Sequence, residues 1–348
     1  MDQFQRTLDQ WRAHANVPVA VGAVRRDGSL VWHGASIADG GDVASPASQF
    51  PIYSITKTLT AVCLLRLDQS GVVRVNDPIA KWIDLPVPQA VTLTQLLRHT
   101  SGVPDYGPLR EYHDAVRTTP SAPWTDDEFI SATLRKELLF APGAGWAYSN
   151  VGYLLLRRAI EHATGRSYRQ CVADQIAWPL GLAHTFVAET IDDWRCCVPG
   201  YGDEVGATGK VVDIRSSYHP GWCAPGVAVS TVDDVTLFYD ALFSGGLVDQ
   251  QHLEQMLQLT RVPGSHPPAV TPSYGMGIMA DPDGPLGPSY GHGGGGPGYS
   301  LYAAILPHSP QGRPSVAVFY NTSLGAEAGQ GVDELFQAAA RVPGSWME

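Results

Sequence analysis

The sequence predicts an α/β (α+β) protein: a strand-and-helix lobe built from both ends of the chain, with an all-helical lobe inserted between them. Three observations predict it. Valine-rich, strand-like runs occur near the N-terminus and again beyond residue 270, each accompanied by helices. The stretch between them reads almost wholly as capped helices. The 348 residues, 44% apolar and 16% charged, supply a sizeable core and exclude disorder. The strand-and-helix lobe is expected over about 1–53 and 200–348 and the helical lobe over about 54–199, within one domain.

Residues 3–15 form a helix with Phe4, Leu8 and Trp11 on one face. Val17 to Val24 is a strand, Arg26-Asp27-Gly28 a turn and Leu30-Val31-Trp32-His33 the returning strand, so the three make a hairpin. Gly40 to Ser48 is a loop. Phe50-Pro51-Ile52-Tyr53 reads as a buried approach to a strained turn, and a helix follows from Ser54 to about Gln69, closed by Ser70-Gly71. Further helices are expected at Thr92–Arg98, at 125–138 with Thr125 and Glu128 as a capping box, at Asn150–Thr164, and at Ser167–Ala177 up to Trp178-Pro179. Past residue 200 Pro and Gly become dense. Helices at Val232–Ser244 and Gln250–Thr260 precede strands at Tyr274–Met279, Tyr299–Leu306 and Val316–Tyr320, and a last helix spans Gly331–Arg341. There is no internal repeat.

Composition excludes several function classes. The net charge is −11, and the 19 Arg and 4 Lys are scattered, which argues against nucleic acid and against an anionic membrane surface as partners. The five cysteines (Cys63, Cys171, Cys196, Cys197 and Cys223) are odd in number and form no Cys-x-x-Cys, as expected in a reducing compartment. Met1-Asp2-Gln3-Phe4-Gln5-Arg6 has no apolar signal region, and no window approaches the roughly 18–20 apolar residues of a membrane helix. A cytoplasmic location is expected.

Three motifs carry chemistry. Ser54-Ile55-Thr56-Lys57 places a hydroxyl and an amine on one helix face, so the lysine can act as base for an otherwise weak nucleophile. At the helix start the Ser54 N–H is free to hold an oxyanion. A surface Ser and Lys would give the same letters, and the pattern arises by chance about once in a chain this size. Tyr148-Ser149-Asn150 offers a phenol to relay a proton and an amide to bind one, although Asn150 serves equally as a helix cap. Gly291-His292-Gly293-Gly294-Gly295-Gly296 matches a dinucleotide fingerprint in letters, but it precedes a strand-like run rather than a helix, so that reading fails. Glycines beside a strand instead let a substrate lie close to the sheet edge. No metal-binding His pattern occurs, no cofactor is implied, and His99 reads as a structural helix-end residue.

Taken in order, Ser54-x-x-Lys57, Tyr148-x-Asn150 and His292-x-Gly294 resemble the serine β-lactamase and penicillin-binding-protein superfamily. The likeness is to its branch of class C β-lactamases, D-alanyl-D-alanine carboxypeptidases and family VIII-like esterases. The Leu96–Gly102 run, Pro142-Gly143, Pro179-Leu180-Gly181-Leu182 and Ser230-Thr231-Val232-Asp233-Asp234 extend it over roughly residues 15 to 325. The resemblance implies a central antiparallel sheet flanked by helices and a serine hydrolase acting through an acyl-enzyme. In it Ser54 attacks, and Lys57 and Tyr148 share the proton. The N–H groups of Ser54 and Gly295 form the oxyanion hole, Asn150 holds the acyl amide, and His292 supports Tyr148. The family often has Thr where this chain has Gly293, and no Arg or Lys lies between Arg261 and Arg313. Losing that hydrogen bond to a carboxylate costs about 1.5–3 kcal/mol. Esters and uncharged amides or short peptides are therefore expected as substrates ahead of those with a free carboxylate at that position, such as β-lactams or D-Ala-D-Ala peptides. Acyl transfer to an alcohol or amine on the same residues is the alternative, and a silent binding protein a more distant one.

Overall fold

A computed structural model of the chain describes residues 3–84, 91–135, 137–206, 209–264, 266, 269–310, 312–324 and 328–341. Helix α1 (Gln3–Ala15) leads into the hairpin of β1 (Val19–Arg26) and β2 (Ser29–Ile37). Asp27 and Gly28 both take positive φ at its turn, as the Asp-Gly pair of a tight hairpin requires. Strand β3 (Phe50–Pro51) and one 3₁₀ turn (Tyr53–Ile55) precede α2 (Thr56–Gln69), so the expected helix start at Ser54 is a tighter turn. Then come α3 (Leu93–Leu97), α4 (Arg110–Thr118), α5 (Asp126–Leu134), α6 (Asn150–Thr164), α7 (Tyr168–Val172), α8 (Trp178–Leu180) and β4 (Phe186–Ala188). Strands β5 (Tyr201–Gly202) and β6 (Val212–Asp213) pair with each other, while β7 (Val227–Ser230) lies between β3 and β4. After α9 (Val232–Phe243) and α10 (Gln250–Met256) follow β8 (Thr260–Arg261), β9 (Ser273–Tyr274), β10 (Met279–Asp281), β11 (Ser289–Gly296), β12 (Tyr299–Ile305), β13 (Pro314–Tyr320) and α11 (Ala328–Arg341).

The central sheet runs β2-β1-β13-β12-β11-β10-β9-β8, with every pairing antiparallel. Period-two alternation divides its residues between two cores. Ala20, Val24, Val316, Val318 and Tyr320 face Phe4 and Leu8 of α1 and Val332, Leu335 and Phe336 of α11. Val19, Val21, Ala23, Ala317 and Phe319 join the larger core with α2, α6 and α9. Two-sided burial explains why β1 and β13 read as continuous apolar runs.

Several elements differ from expectation. The strand expected at Tyr274–Met279 is split. Met276 donates its N–H to Met256 O and Gly277, at φ +69°, donates to Leu97 O, so the segment leaves the sheet to meet α10 and α3. The helix expected at 125–138 stops at Leu134 although its Thr125–Glu128 capping box is present. The helix expected to end at Trp178-Pro179 passes through a π turn, Ala173–Ala177, into α8 and ends at Gly181 with φ +66°. Pro179 lies in the first turn of α8, directly after the π turn, whose last bond runs from Trp178 N–H to Ala173 O. The helix expected over 250–260 ends at Met256, and Thr260–Arg261 becomes a sheet edge. Among the described residues no helix is long and apolar enough to cross a membrane.

Candidate active site

Helix α2 is buried almost all round, with Thr56, Leu59, Val62, Cys63 and Leu65 inside, as suits a helix at the centre of a core. It is entered through Tyr53, whose φ of +41° is a genuine outlier for an aromatic residue. That conformation is held in place: the Tyr53 hydroxyl donates to Pro297 O at 2.6 Å, and Ile52 N–H donates to Ala228 O at 2.8 Å. The strained turn puts Ser54 half-exposed at the head of the helix and Lys57, only 3% exposed, one turn below. The Lys57 Nζ donates to Ser54 Oγ at 3.1 Å and to Asn150 Oδ1 at 2.7 Å, and lies 4.9 Å from the Tyr148 ring centre. The two hydrogen bonds and the ring face offset the loss of water around a buried ammonium.

Tyr148 reaches the same serine from the loop before α6, its hydroxyl 2.9 Å from Ser54 Oγ. The helix cap is Ser149, whose Oγ accepts from Gly152 N at 3.0 Å. Asn150 is thereby left for the site. Both ends of its amide are engaged, Oδ1 by Lys57 and Nδ2 by Asp105 Oδ2 at 3.1 Å, while Asp105 Oδ1 accepts its backbone N–H at 2.8 Å. Asp105 carries no motif signal in the sequence. It lies 45 residues from Asn150, and only folding joins them.

His99 does more than end α3. Its φ is +59°, its Nδ1 accepts Ser149 N–H at 3.1 Å, and its ring lies 4.3 Å from that of Tyr148. Burial, with the charge of Lys57, keeps it neutral by holding its pKa well below the usual imidazole range.

The glycine run is itself a strand. Residues 290–296 of β11 pair throughout with β12, whereas β10 meets only Ser289–Gly291. The other edge of Gly293–Gly296 thus faces the Ser54 turn. A Cβ on Gly294 would lie 2.5 Å from Ile52 O and one on Gly296 2.4 Å from the Tyr53 ring, whereas one on Gly295 would meet nothing within 4 Å. The glycines let the strained turn sit against the sheet. A Cβ at Gly293 would project toward the Tyr302 ring, 3.3 Å away.

His292 is wholly buried, with Nδ1 2.6 Å from Gly293 O and Nε2 2.9 Å from the Tyr274 hydroxyl. A carbonyl only accepts, so Nδ1 carries the hydrogen and Nε2 accepts from Tyr274. Burial first, and Lys57 second, push its pKa down to about 3. Nε2 thus accepts from Tyr274 rather than meeting Tyr148, and Tyr274 stands edge-on to Tyr148 at 6.4 Å. Beside Ser54 and Lys57 opens a cavity of about 180 Å³, lined also by Asn150 and Gly295. Among the described residues no group of three or more His, Cys, Asp or Glu is placed to hold a metal ion.

Fold and site together define a serine hydrolase of the β-lactamase and penicillin-binding-protein class. Residues 4–340 match the Beta-lactamase family, and the chain belongs to it. A D-stereospecific amidohydrolase from Streptomyces sp. is similar at 29% identity and a TM-score of 0.80, over 95% of this chain and 96% of that one. The D-amino acid amidase of Ochrobactrum anthropi SV3, complexed with L-phenylalanine, is similar at 27% identity and a TM-score of 0.81, over 96% and 97%. Penicillin-binding protein 4* of Bacillus subtilis (strain 168) is 29% identical over 275 residues, 73% of this chain. The match spans 57% of that relative's length.

Proposed function

We propose that the protein hydrolyses neutral amides and esters through an acyl-enzyme on Ser54. The observation that carries this reading is a serine hydroxyl held 3.1 Å from a buried lysine Nζ and 2.9 Å from a tyrosine hydroxyl. In the form in which the Lys57–Tyr148 pair holds one proton fewer, Ser54 Oγ bonds to the substrate carbonyl carbon as its proton passes to that pair. Tyr148 delivers a proton to the departing amine or alkoxide, and the acyl group stays on Ser54. Water, activated by the same pair, then releases the acid and restores the serine. The N–H groups of Ser54 and Gly295 stabilise the oxyanion. Asn150 keeps Lys57 aimed at the serine.

Neutral substrates are favoured because, among the described residues, Lys57 is the one cationic side chain lining the cavity, and its bonds go to Ser54 and Asn150. Amide cleavage gains support from the two similar structures, an amidohydrolase and an amidase. The test is intact mass after incubation with nitrophenyl esters and amino-acid amides. An acyl adduct is expected on the peptide that holds Ser54. Ser54→Ala should lose about 10⁴-fold or more in kcat, as removal of a nucleophile does. Turnover by Ser54→Ala near that of the wild type would refute the assignment.

A further inference from the structure

The cavity beside Ser54 has a character that the proton-transfer residues do not explain. Its walls include Tyr53, Tyr106, Tyr112, Tyr218 and Cys223. All four phenol hydroxyls have partners within the protein. Tyr53 donates to Pro297 O at 2.6 Å and Tyr112 to Trp222 O at 3.5 Å, Tyr218 meets Cys223 Sγ at 3.7 Å, and Tyr106 bonds the Ala224 backbone. The four rings and the Cys223 thiol form one side of the cavity, and Ser54, Lys57 and Asn150 are the polar groups that share its lining. Burial holds the four phenols above their ordinary range and pushes the Cys223 thiol up to about 11, so this wall is uncharged at neutral pH.

The wall is also rigid. Tyr106 packs 4.8 Å from Tyr112, which packs 5.8 Å from Trp222 and 6.0 Å from Trp124. A preorganised aromatic surface loses little entropy on binding. Its size is informative: an apolar cavity of about 150 Å³ accepts benzene, and this one is about 180 Å³.

Its place in the reaction follows from Tyr148. That hydroxyl serves the leaving group, and Tyr148 is not among the residues lining the cavity, whereas Ser54, Lys57 and Asn150 are. The cavity therefore receives the part of the substrate that stays on the serine.

We propose that this cavity is an acyl pocket that selects a single aromatic ring, as in an arylacetyl group or an amino acid with a benzyl-type side chain, with Cys223 closing its wall. The proposal rests on the acyl-enzyme reading above. Ring-on-ring contact with the tyrosines supplies the selectivity, and an anionic acyl group is rejected because, among the described lining residues, the one cation, Lys57, is already engaged by Ser54 and Asn150.

The test uses trifluoroethyl esters of acetic, phenylacetic and succinic acid, whose leaving group carries no ring. Acid release is followed and corrected for each ester's hydroxide-catalysed rate. Phenylacetate should exceed acetate in kcat/KM by roughly tenfold to hundredfold, and succinate should be lowest. Cys223→Phe, with Cys223→Met as the smaller replacement if the first fails to fold, should lower phenylacetate turnover about tenfold more than acetate turnover. Equal rates for acetate and phenylacetate, or a ratio untouched by both variants, would overturn the pocket. The mass of the Ser54 peptide separates the two failures. An adduct without ring preference sinks only the pocket, whereas no adduct from any ester sinks the acyl-enzyme reading with it.

Discussion

Asn150 shows how one side chain's role is set by its neighbours. An amide has a donor end and an acceptor end, and Asp105 takes the donor, leaving Oδ1 for Lys57. Without Asp105 the amide is free to turn and the ammonium loses its second anchor. Asp105→Ala should lower kcat by about tenfold to hundredfold with little change in KM, the scale of a small misplacement of reacting groups. In an Asn150→Ala background the same substitution should cost less than about threefold, because the two act through one contact. Equal losses in both backgrounds would reduce Asp105 to a helix-end hydrogen bond. Ser54, Lys57, Tyr148 and Asn150 were legible because their types and spacings are chemical statements in themselves. Asp105 and Tyr274 were not, because their partners lie 45 and 18 residues away.

At the scale of elements, the least legible was β11. Five of its eight residues are glycine, which have low strand propensity and no alternating side chains to betray a period of two. Pairing with β12 and the approach of the Ser54 turn override propensity there. The requirement is unequal along the strand. Gly294→Ala forces a Cβ to within 2.5 Å of a backbone carbonyl on Ile52, which cannot swing aside as a side chain can. It should cost about 1–3 kcal/mol in stability and displace Ser54, with activity falling at least tenfold. Gly295→Ala opens onto free space and should leave the melting temperature within about a degree. Thermal unfolding of the two variants side by side checks the contrast, and similar losses would refute it. Helix α6 was legible to the residue, but its cap is Ser149, and that shift by one position releases Asn150 for the site.

On the scale of the whole molecule, the site lies where the sheet edge at β11 meets the helices α2 and α6, and that junction is built around neutral imidazoles. His292 has its pKa pushed from an ordinary 6.5 to about 3 by burial and by Lys57, and His99 is lowered for the same two reasons. The unfolded chain therefore binds protons below pH about 6.5 that the folded protein refuses until pH about 3. Stability is complete above that upper value and falls as pH drops through the window. From His292 alone the loss should reach about 2 kcal/mol at pH 5 relative to pH 7. Urea unfolding at the two pH values measures it, and His292→Gln should shrink the difference by about that amount. An unchanged difference would show that His292 takes up its proton while the protein is folded.

The sequence by itself determined the class of the fold, the family and four polar side chains, Ser54, Lys57, Tyr148 and Asn150, that join in one hydrogen-bonded network. Those depend on local periodicity, on caps and on short motifs whose residue types carry their own chemistry. Tertiary structure decided how they work: Asp105 orients Asn150, His292 serves Tyr274, the glycine strand lies against a strained tyrosine, and four tyrosines, three of them buried, wall the cavity. Each of these is a contact between segments far apart in the chain, made only when burial removes water and leaves every polar atom to find its partner inside.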